Sequence, residues 1–375
     1  MVGGGPAGLY LAYLLKRASP RLEVVVLERN RPDATYGFGV VFSDAALGYL
    51  ADADQASFTA VSAAMEVWDD LTIAKDGNQV RVDGNRFSAI ARLRLLTILH
   101  DLCASVGVDL RFGTTVEGLD DLSGADLVVG ADGVHSRVRQ DLAGHFAQEV
   151  TTLTNRFAWY GTARTFPTLT LTFRTTEDGV FVAHHYRYSP TMSTFIVECD
   201  APTFDRAGLG RRSPASTRAY AESLFAPELQ GHPLVENRSV WRSFELASCA
   251  RWHTDRVVLI GDALRTVHFS IGSGTRLALE DAIALAGAFV AEGGRLPDAL
   301  ARFEAERRPV VEALVAAAAR SSWWYEAMGE RAGLDVWDLA HDYMTRSGRM
   351  DDGRLAAVAP RFVAELARRG RVGVQ

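Results

Sequence analysis

The sequence predicts an α/β fold in which a parallel sheet is split by an antiparallel insert and followed by helices. Three observations carry this. The chain opens on a glycine turn, an apolar helix and a short strand that ends in an acid. Short buried strands of the parallel type return at 126–130 and 256–260. Between them, from about 151, apolar residues alternate with period two, as in an antiparallel sheet. Together they describe a discontinuous Rossmann-like domain, an inserted antiparallel β-sheet domain and C-terminal helices.

The elements follow in order. Met1-Val2-Gly3-Gly4-Gly5-Pro6-Ala7-Gly8 leads into a helix through Tyr13 and Leu15, and Val24 to Glu28 reads as a strand. Residues 66–87 read as a polar β-excursion, with Val80 and Val82 alternating after the turn Asp76-Gly77-Asn78. Arg92 to Leu102 is helical by period, and Val108 to Phe112 a strand. Strands are expected at Leu169–Phe173, Val180–His184 and Ser193–Cys199, and a helix from about Thr275 to Val290. Strand alternation should point only one of His184 and His185 inward. The expected segments are 1–65, 88–150 and 249–310 for the nucleotide domain. Residues 66–87 and 151–248 make the substrate domain, and 311–375 the helical end.

The chain has 375 residues, 48% of them apolar and 23% charged, which is ample for a large core. A net charge of -6 gives no nucleic-acid surface. No apolar run is long enough to span a bilayer. Cys103, Cys199 and Cys249 are scattered, so neither a metal site nor a disulfide framework is expected, and a cytoplasmic location fits. Of 40 basic residues only Lys16 and Lys75 are lysines, which reads as codon bias. Only Met1 and Val2 precede the glycines, where a strand of about 5 residues is usual. The native start is therefore expected upstream.

Gly3-x-Gly5-x-x-Gly8, with Glu28 twenty residues beyond the last glycine, is the first chemical motif. Glycine lets the backbone approach a pyrophosphate, and the helix presents free N–H groups and its positive end. Glu28 suits the ribose hydroxyls. Pro6 and Ala7 belong to the same turn, Arg29 follows the acid, and all are assigned to cofactor binding. The second motif is Ala131-Asp132-Gly133-Val134-His135-Ser136-Arg137-Val138-Arg139, and the third Gly261-Asp262-Ala263, each directly after a buried strand.

These three motifs, in this order and spacing, resemble the flavoprotein aromatic hydroxylases of the para-hydroxybenzoate hydroxylase type. The resemblance implies non-covalent FAD, with NADH or NADPH visiting transiently because there is one dinucleotide fingerprint. It implies that Asp262, after Gly261, binds the ribityl and pyrophosphate region. Asp132 and Gly133 would sit where FAD and the nicotinamide pass. Arg92 matches the family's arginine near the FAD phosphates, and Arg139 is read either as part of that site or as a brace of the Asp-Gly loop. The turn Gly272-Ser273-Gly274-Thr275 would aim a helix N-terminus at the flavin pyrimidine.

His268-Phe269-Ser270-Ile271-Gly272-Ser273-Gly274-Thr275, Tyr36 to Ser43, Trp159 to Thr162 and Tyr188 to Glu198 are similar to one branch. That branch holds salicylyl-CoA 5-hydroxylase, 2-aminobenzoyl-CoA monooxygenase and the tryptophan-derived hydroxylase of violacein formation. It places Gly39, Val40 and Val41 beside the isoalloxazine. Arg265 departs from the CoA-ester members, where histidine stands.

The implied reaction is hydroxylation of an amino- or hydroxy-substituted ring through a flavin hydroperoxide, with O2 and NAD(P)H consumed. An aryl-CoA thioester is the expected substrate. A free aromatic amino acid or indole-derived substrate is the alternative. A non-catalytic FAD-binding protein is the alternative of another class. A halogenase is disfavoured because neither Lys16 nor Lys75 is suitably placed. His268 is the candidate catalytic residue, either titrating near the flavin or filling a proline's space. Arg81, Arg86, Arg174 and Arg187 are candidates for CoA phosphates, and Trp323 and Trp324 are either tail contacts or core. A monomer or homodimer is expected, with small-molecule partners and neither nucleic acid nor membrane.

Overall fold

The computed structural model describes residues 1–371. Its nucleotide domain is a parallel layer. Val25–Glu28 pairs with Asp109–Phe112, and Val128–Gly130 with Val257–Leu259. Val2 joins the two pairs, bridging Leu27 on one side and Gly130 on the other. Val2 N donates to Val129 O at 2.8 Å, and Gly3 N to Leu27 O at 2.8 Å. Two residues thus supply the central strand's ladder before the chain enters the glycine turn.

β-Branched runs make the buried strands, since both faces of this layer are covered. The helix Pro6–Ala18 has proline in its first turn and Lys16 and Arg17 in its last, both favourable to a helix. Its Leu9, Tyr10, Leu11 and Ala12 are fully buried. It packs against the helices Gly274–Ala291 and Arg92–Ser105. The helix expected at 275–290 therefore spans Gly274–Ala291.

Within the expected β-excursion at 66–87 only 71–82 joins the substrate sheet, while Glu66–Trp68 pairs with Phe87–Ala91 in a separate sheet. Leu71–Lys75 and Asn78–Val82 are a hairpin whose turn residues Asp76 and Gly77 have φ of 46° and 90°. This hairpin extends the substrate sheet to seven strands. Their order is Leu234–Glu236, Arg156–Thr162, Met192–Cys199, Gly179–Ser189, Leu169–Thr176, Leu71–Lys75, Asn78–Val82. Every pair is antiparallel except Leu169–Thr176 with Leu71–Lys75.

A separate three-stranded sheet carries Gly39–Ser43 against Phe87–Ala91. It binds the loop after the first acid to the hairpin's exit, a pairing the period-two pattern did not reveal.

Both faces of the seven-stranded sheet are buried. Phe181, Ala183 and Phe195 face one apolar cluster with Phe225 and Leu229 from the helical 201–229 segment. Val180, Val182 and Phe173 face another with Trp324, Leu339 and Phe362 from the C-terminal helices. This corrects the expectation for the histidine pair. His184 and His185 point to opposite faces, yet both are buried, because neither face is open to water. Trp324 is core, donating its indole N–H to Asp342 at 2.7 Å, whereas Trp323 is exposed.

Candidate active site

The nucleotide end is built from close approaches. A Cβ on Gly3, where φ is +105°, would lie 2.3 Å from the carbonyl oxygen of Ala131, and a Cβ on Gly8 would lie 2.2 Å from Gly3 O. No other residue fits either position without moving backbone. Gly5 differs, because nothing lies within 4 Å of its Cβ position. It opens onto a cleft lined by Gly4, Glu28, Arg92 and Leu96. Pro6 opens the helix and Ala7 packs behind, its Cβ 3.1 Å from the Cβ position of Gly261.

Glu28 accepts from Gly4 N at 2.7 Å, Asn30 N at 2.8 Å and Asn30 Nδ2 at 2.6 Å. The carboxylate therefore braces the glycine turn from the cleft side. Arg29 lines a groove beside the cleft and is exposed.

Arg92 and Asp262 interact within the cleft region. Burial pushes the Asp262 carboxyl above the ordinary carboxylate range, and Arg92 and Arg265 pull it back. Burial likewise lowers Arg92 while Asp262 raises it. Asp262 is nevertheless open to solvent, with Arg92 of the cleft wall beside it. An opening at Gly5, a cation at Arg92 and a carboxylate at Asp262 fit a phosphate-bearing ligand with a polyol chain. Those are the features of FAD, with Arg92 on phosphate and Asp262 on ribityl hydroxyls.

Asp132 has a structural task. Its carboxylate accepts from Ser136 Oγ at 2.5 Å and Arg137 N at 2.7 Å, capping the helix Arg137–Asp141. Gly133, at φ +83°, has nothing around its Cβ position. Arg139 resolves in favour of the brace. It is buried and donates to Ala263 O at 2.8 Å and Gln148 Oε1 at 3.0 Å, and also to Val134 O. The second and third motifs are thus tied through one guanidinium.

Arg265 points into protein. It makes a two-pronged pair with Asp281 at 2.6 and 2.9 Å, and both side chains are buried. Asp281 also accepts from Arg307 Nε at 3.0 Å and from Gly261 N at 3.0 Å. This network anchors the Gly-Asp loop to two helices, and nothing in its motif spacing announces it. The residue that departs from the CoA-ester members is a structural one.

The turn at 272–275 sits against the strand at 39–43. A Cβ on Gly272, at φ +60°, would lie 3.1 Å from Val41 Cγ1. Ser273 precedes the helix, whose first turn contains no acid. Gly39 N donates to Thr194 Oγ1, and Tyr186 OH to Gly39 O, both at 3.0 Å. Val40 is buried beside it. The sheet thereby fixes the strand beside the turn.

His268 is 2% exposed. Its Nδ1 accepts from Ser270 N at 3.4 Å, and its ring lies 4.2 Å from that of Phe269 and 5.1 Å from that of Phe244. Burial pushes its pKa down to about 4, against the pull of Glu198. It is therefore neutral at pH 7.

Glu198 was not singled out by its position in sequence. It is fully buried, accepts from Asn155 Nδ2 at 2.9 Å and meets His184 Nε2 at 3.2 Å, with His268 Nε2 3.9 Å away. These contacts hold its carboxyl below the usual range despite burial. A lone acid on the inward register of an apolar strand was the available sign. Phe157, Trp159, His184 and Phe244 surround Phe269 at ring distances of 4.9 to 6.4 Å. The face between turn and sheet is thus aromatic and dry.

The four arginines expected at a cleft mouth are each engaged elsewhere. Arg81 pairs with Asp70, Arg86 with Asp69, Arg174 with Glu228 and Arg187 with Glu66.

A nucleotide cleft leading to a helix N-terminus that faces an aromatic sheet defines a flavin-dependent oxidoreductase of aromatic compounds. The chain belongs to the FAD binding domain family, which matches residues 1–318. It is 41% identical over 365 residues to a salicyloyl-CoA 5-hydroxylase from a Streptomyces species, covering 95% of this chain and 70% of the relative. It is 37% identical over 348 residues to 3-hydroxy-4-methyl-anthranilyl-[aryl-carrier protein] 5-monooxygenase of Streptosporangium sibiricum, covering 93% of each. The fold is that of 2-methyl-3-hydroxypyridine-5-carboxylic acid oxygenase, with a TM-score of 0.72 at 18% identity over 96% of this chain and 95% of that one. The protein is an FAD-dependent aromatic monooxygenase that uses NAD(P)H. No described helix is long and apolar enough to cross a membrane.

Proposed function

We propose that the substrate is an amino- or hydroxy-substituted aromatic acid carried as a CoA thioester, hydroxylated on its ring. The observation that carries this is the 41% identity to the salicyloyl-CoA 5-hydroxylase over 95% of this chain. The aryl-carrier-protein relative supports the same class, an aromatic acyl group held on a carrier. The burial of Arg265 against Asp281 supports it too, since the departure from the CoA-ester pattern lies away from the cleft.

FAD supplies the two-electron and oxygen chemistry when bound. The chain's residues bind and orient. Arg92 and Asp262 hold the phosphate and ribityl regions, and Glu28 fixes the turn that admits them. Gly39, Val40 and Val41 line one side of the ring system. The N-terminus of Gly274–Ala291 stabilises negative charge on it. Phe157, Trp159 and Phe269 exclude water from the substrate ring. His268, neutral and next to this turn, has Nδ1 occupied by Ser270 N and offers its Nε2–H as a hydrogen-bond donor toward the reacting ring.

The test is turnover of 2-aminobenzoate and its CoA thioester side by side, with salicylate and tryptophan. The thioester should couple NAD(P)H oxidation to hydroxylated product. Equal or better coupling with a free acid would remove the thioester. His268→Ala with unchanged coupling and pH profile would remove the histidine's role.

A further inference from the structure

A groove of about 600 Å3 opens beside the nucleotide cleft, between the 29–36 loop and the turn at 237–238. That volume is in the range of small-molecule sites. Its walls carry Arg29, Arg31 and Arg238 against the single carboxylate of Asp33. Asp33 is taken by Arg31 at 3.1 Å. Among the described residues Arg29 and Arg238 have no carboxylate partner, unlike the arginines of the sheet.

Arg238 is held, not loose. Its φ is +56°, a conformation that a non-glycine residue rarely adopts. The neighbouring Asn237 Nδ2 donates to Thr35 O at 3.2 Å and to Gly37 O at 2.9 Å, pinning the turn over the loop. The Arg238 guanidinium then lies 4.2 Å from the ring centre of Tyr36. Stacking leaves its N–H edge free for an acceptor.

The wall behind the groove packs directly against the aromatic cluster. Ser239 Oγ donates to the carbonyl of Trp159. The Gly37 Cβ position is 3.7 Å from the Trp159 indole, whose ring is 6.4 Å from Phe269. The indole N–H is enclosed and has no hydrogen-bond partner. Only the residues Trp159 and Gly37 separate the aromatic cluster from the turn that carries Arg238.

We propose that this groove binds the phosphorylated nucleotide arm of the substrate's carrier, the 3′-phospho-ADP end of a CoA thioester. The inference rests on the thioester reading above. Guanidiniums recognise phosphate through paired N–H groups, and the Tyr36 face also suits an adenine.

The test compares an aryl-CoA with the matching aryl-pantetheine thioester, which lacks the phosphates, in wild type, Arg238→Gly and Arg31→Gln. Glycine accepts the positive φ, so Arg238→Gly removes charge without adding strain. In wild type the aryl-CoA should have a KM lower by at least about tenfold. Arg238→Gly should raise that KM about tenfold, leaving kcat and the KM values for aryl-pantetheine and NADPH unchanged. Arg31→Gln should act in the same direction. Equal KM values for both thioesters in wild type, with both turned over, overturn the groove and leave the thioester reading intact. A rise confined to the NADPH KM assigns the groove to the nicotinamide nucleotide and overturns the proposal. Turnover of the free acid alone overturns both.

Discussion

Asp281→Asn should be the most damaging conservative change near the flavin loop, and the network says why. Asp281 is 0% exposed and faces two arginines, accepting two bonds from Arg265, one from Arg307 and one from Gly261 N. With an amide there, Arg307 still has Glu280 at 2.6 Å, but Arg265 keeps no other ion pair among the described residues, only the longer-range field of Asp262. An uncompensated buried guanidinium costs about 3–5 kcal/mol. In a chain of this size that lowers Tm by about 4–6 °C. Arg265→Met should cost less, because Asp281 then keeps Arg307 and Gly261 N and the new side chain fills similar volume. The assay is thermal and urea unfolding of both variants, with and without saturating FAD. Because Gly261 N loses its charged acceptor, Asp281→Asn should also release FAD more readily than Arg265→Met. If Asp281→Asn proves no worse than Arg265→Met, or costs under about 1 kcal/mol, the network does not support the loop.

Two further outcomes are expected. Arg92→Ala should weaken FAD by about 1.5–3 kcal/mol, roughly 10- to 150-fold in Kd, read by flavin fluorescence; unchanged affinity would place Arg92 off the phosphates. The buried imidazoles set a pH dependence of stability. His268 is depressed to about 4 and His185 to about 3, both chiefly by burial. The unfolded chain therefore binds their protons first, and stability should be full above about pH 6.5 and fall as pH drops toward 4. His185→Phe, placed between Phe166 and Phe195, should flatten that fall; an unchanged slope would show that His185 is not the titrating group.

The nucleotide half of the molecule was legible because its chemistry is local. Glycine turns, a strand-ending acid and buried valine runs are read within a few residues, and of the residues they single out Gly5, Glu28 and Arg92 line one cleft. The histidine pair was not legible in the same way. Alternation predicts which residues share a face, and His184 and His185 do take opposite faces. Only the helices packed on both sides decide that each is buried. Long-range partners were also beyond pattern. Glu198 meets Asn155 from the loop that leads into a neighbouring strand, and Arg265 meets a helix residue sixteen positions on. A charged residue's partner is a tertiary fact, so the carboxylates that pair with Arg81, Arg86, Arg174 and Arg187 could not be read from pattern. Arg238, on an unremarkable turn, emerged only with its left-handed backbone.

The most direct measurement is oxygen incorporation. Purified protein with FAD and NAD(P)H should be given salicyloyl-CoA or 2-aminobenzoyl-CoA under 18O2, and the product acyl group weighed. A monooxygenase of the aryl thioester predicts a product carrying one labelled oxygen on the ring and formed in step with NAD(P)H oxidation. NAD(P)H oxidation that yields only hydrogen peroxide, or a product whose new oxygen comes from water, would contradict it.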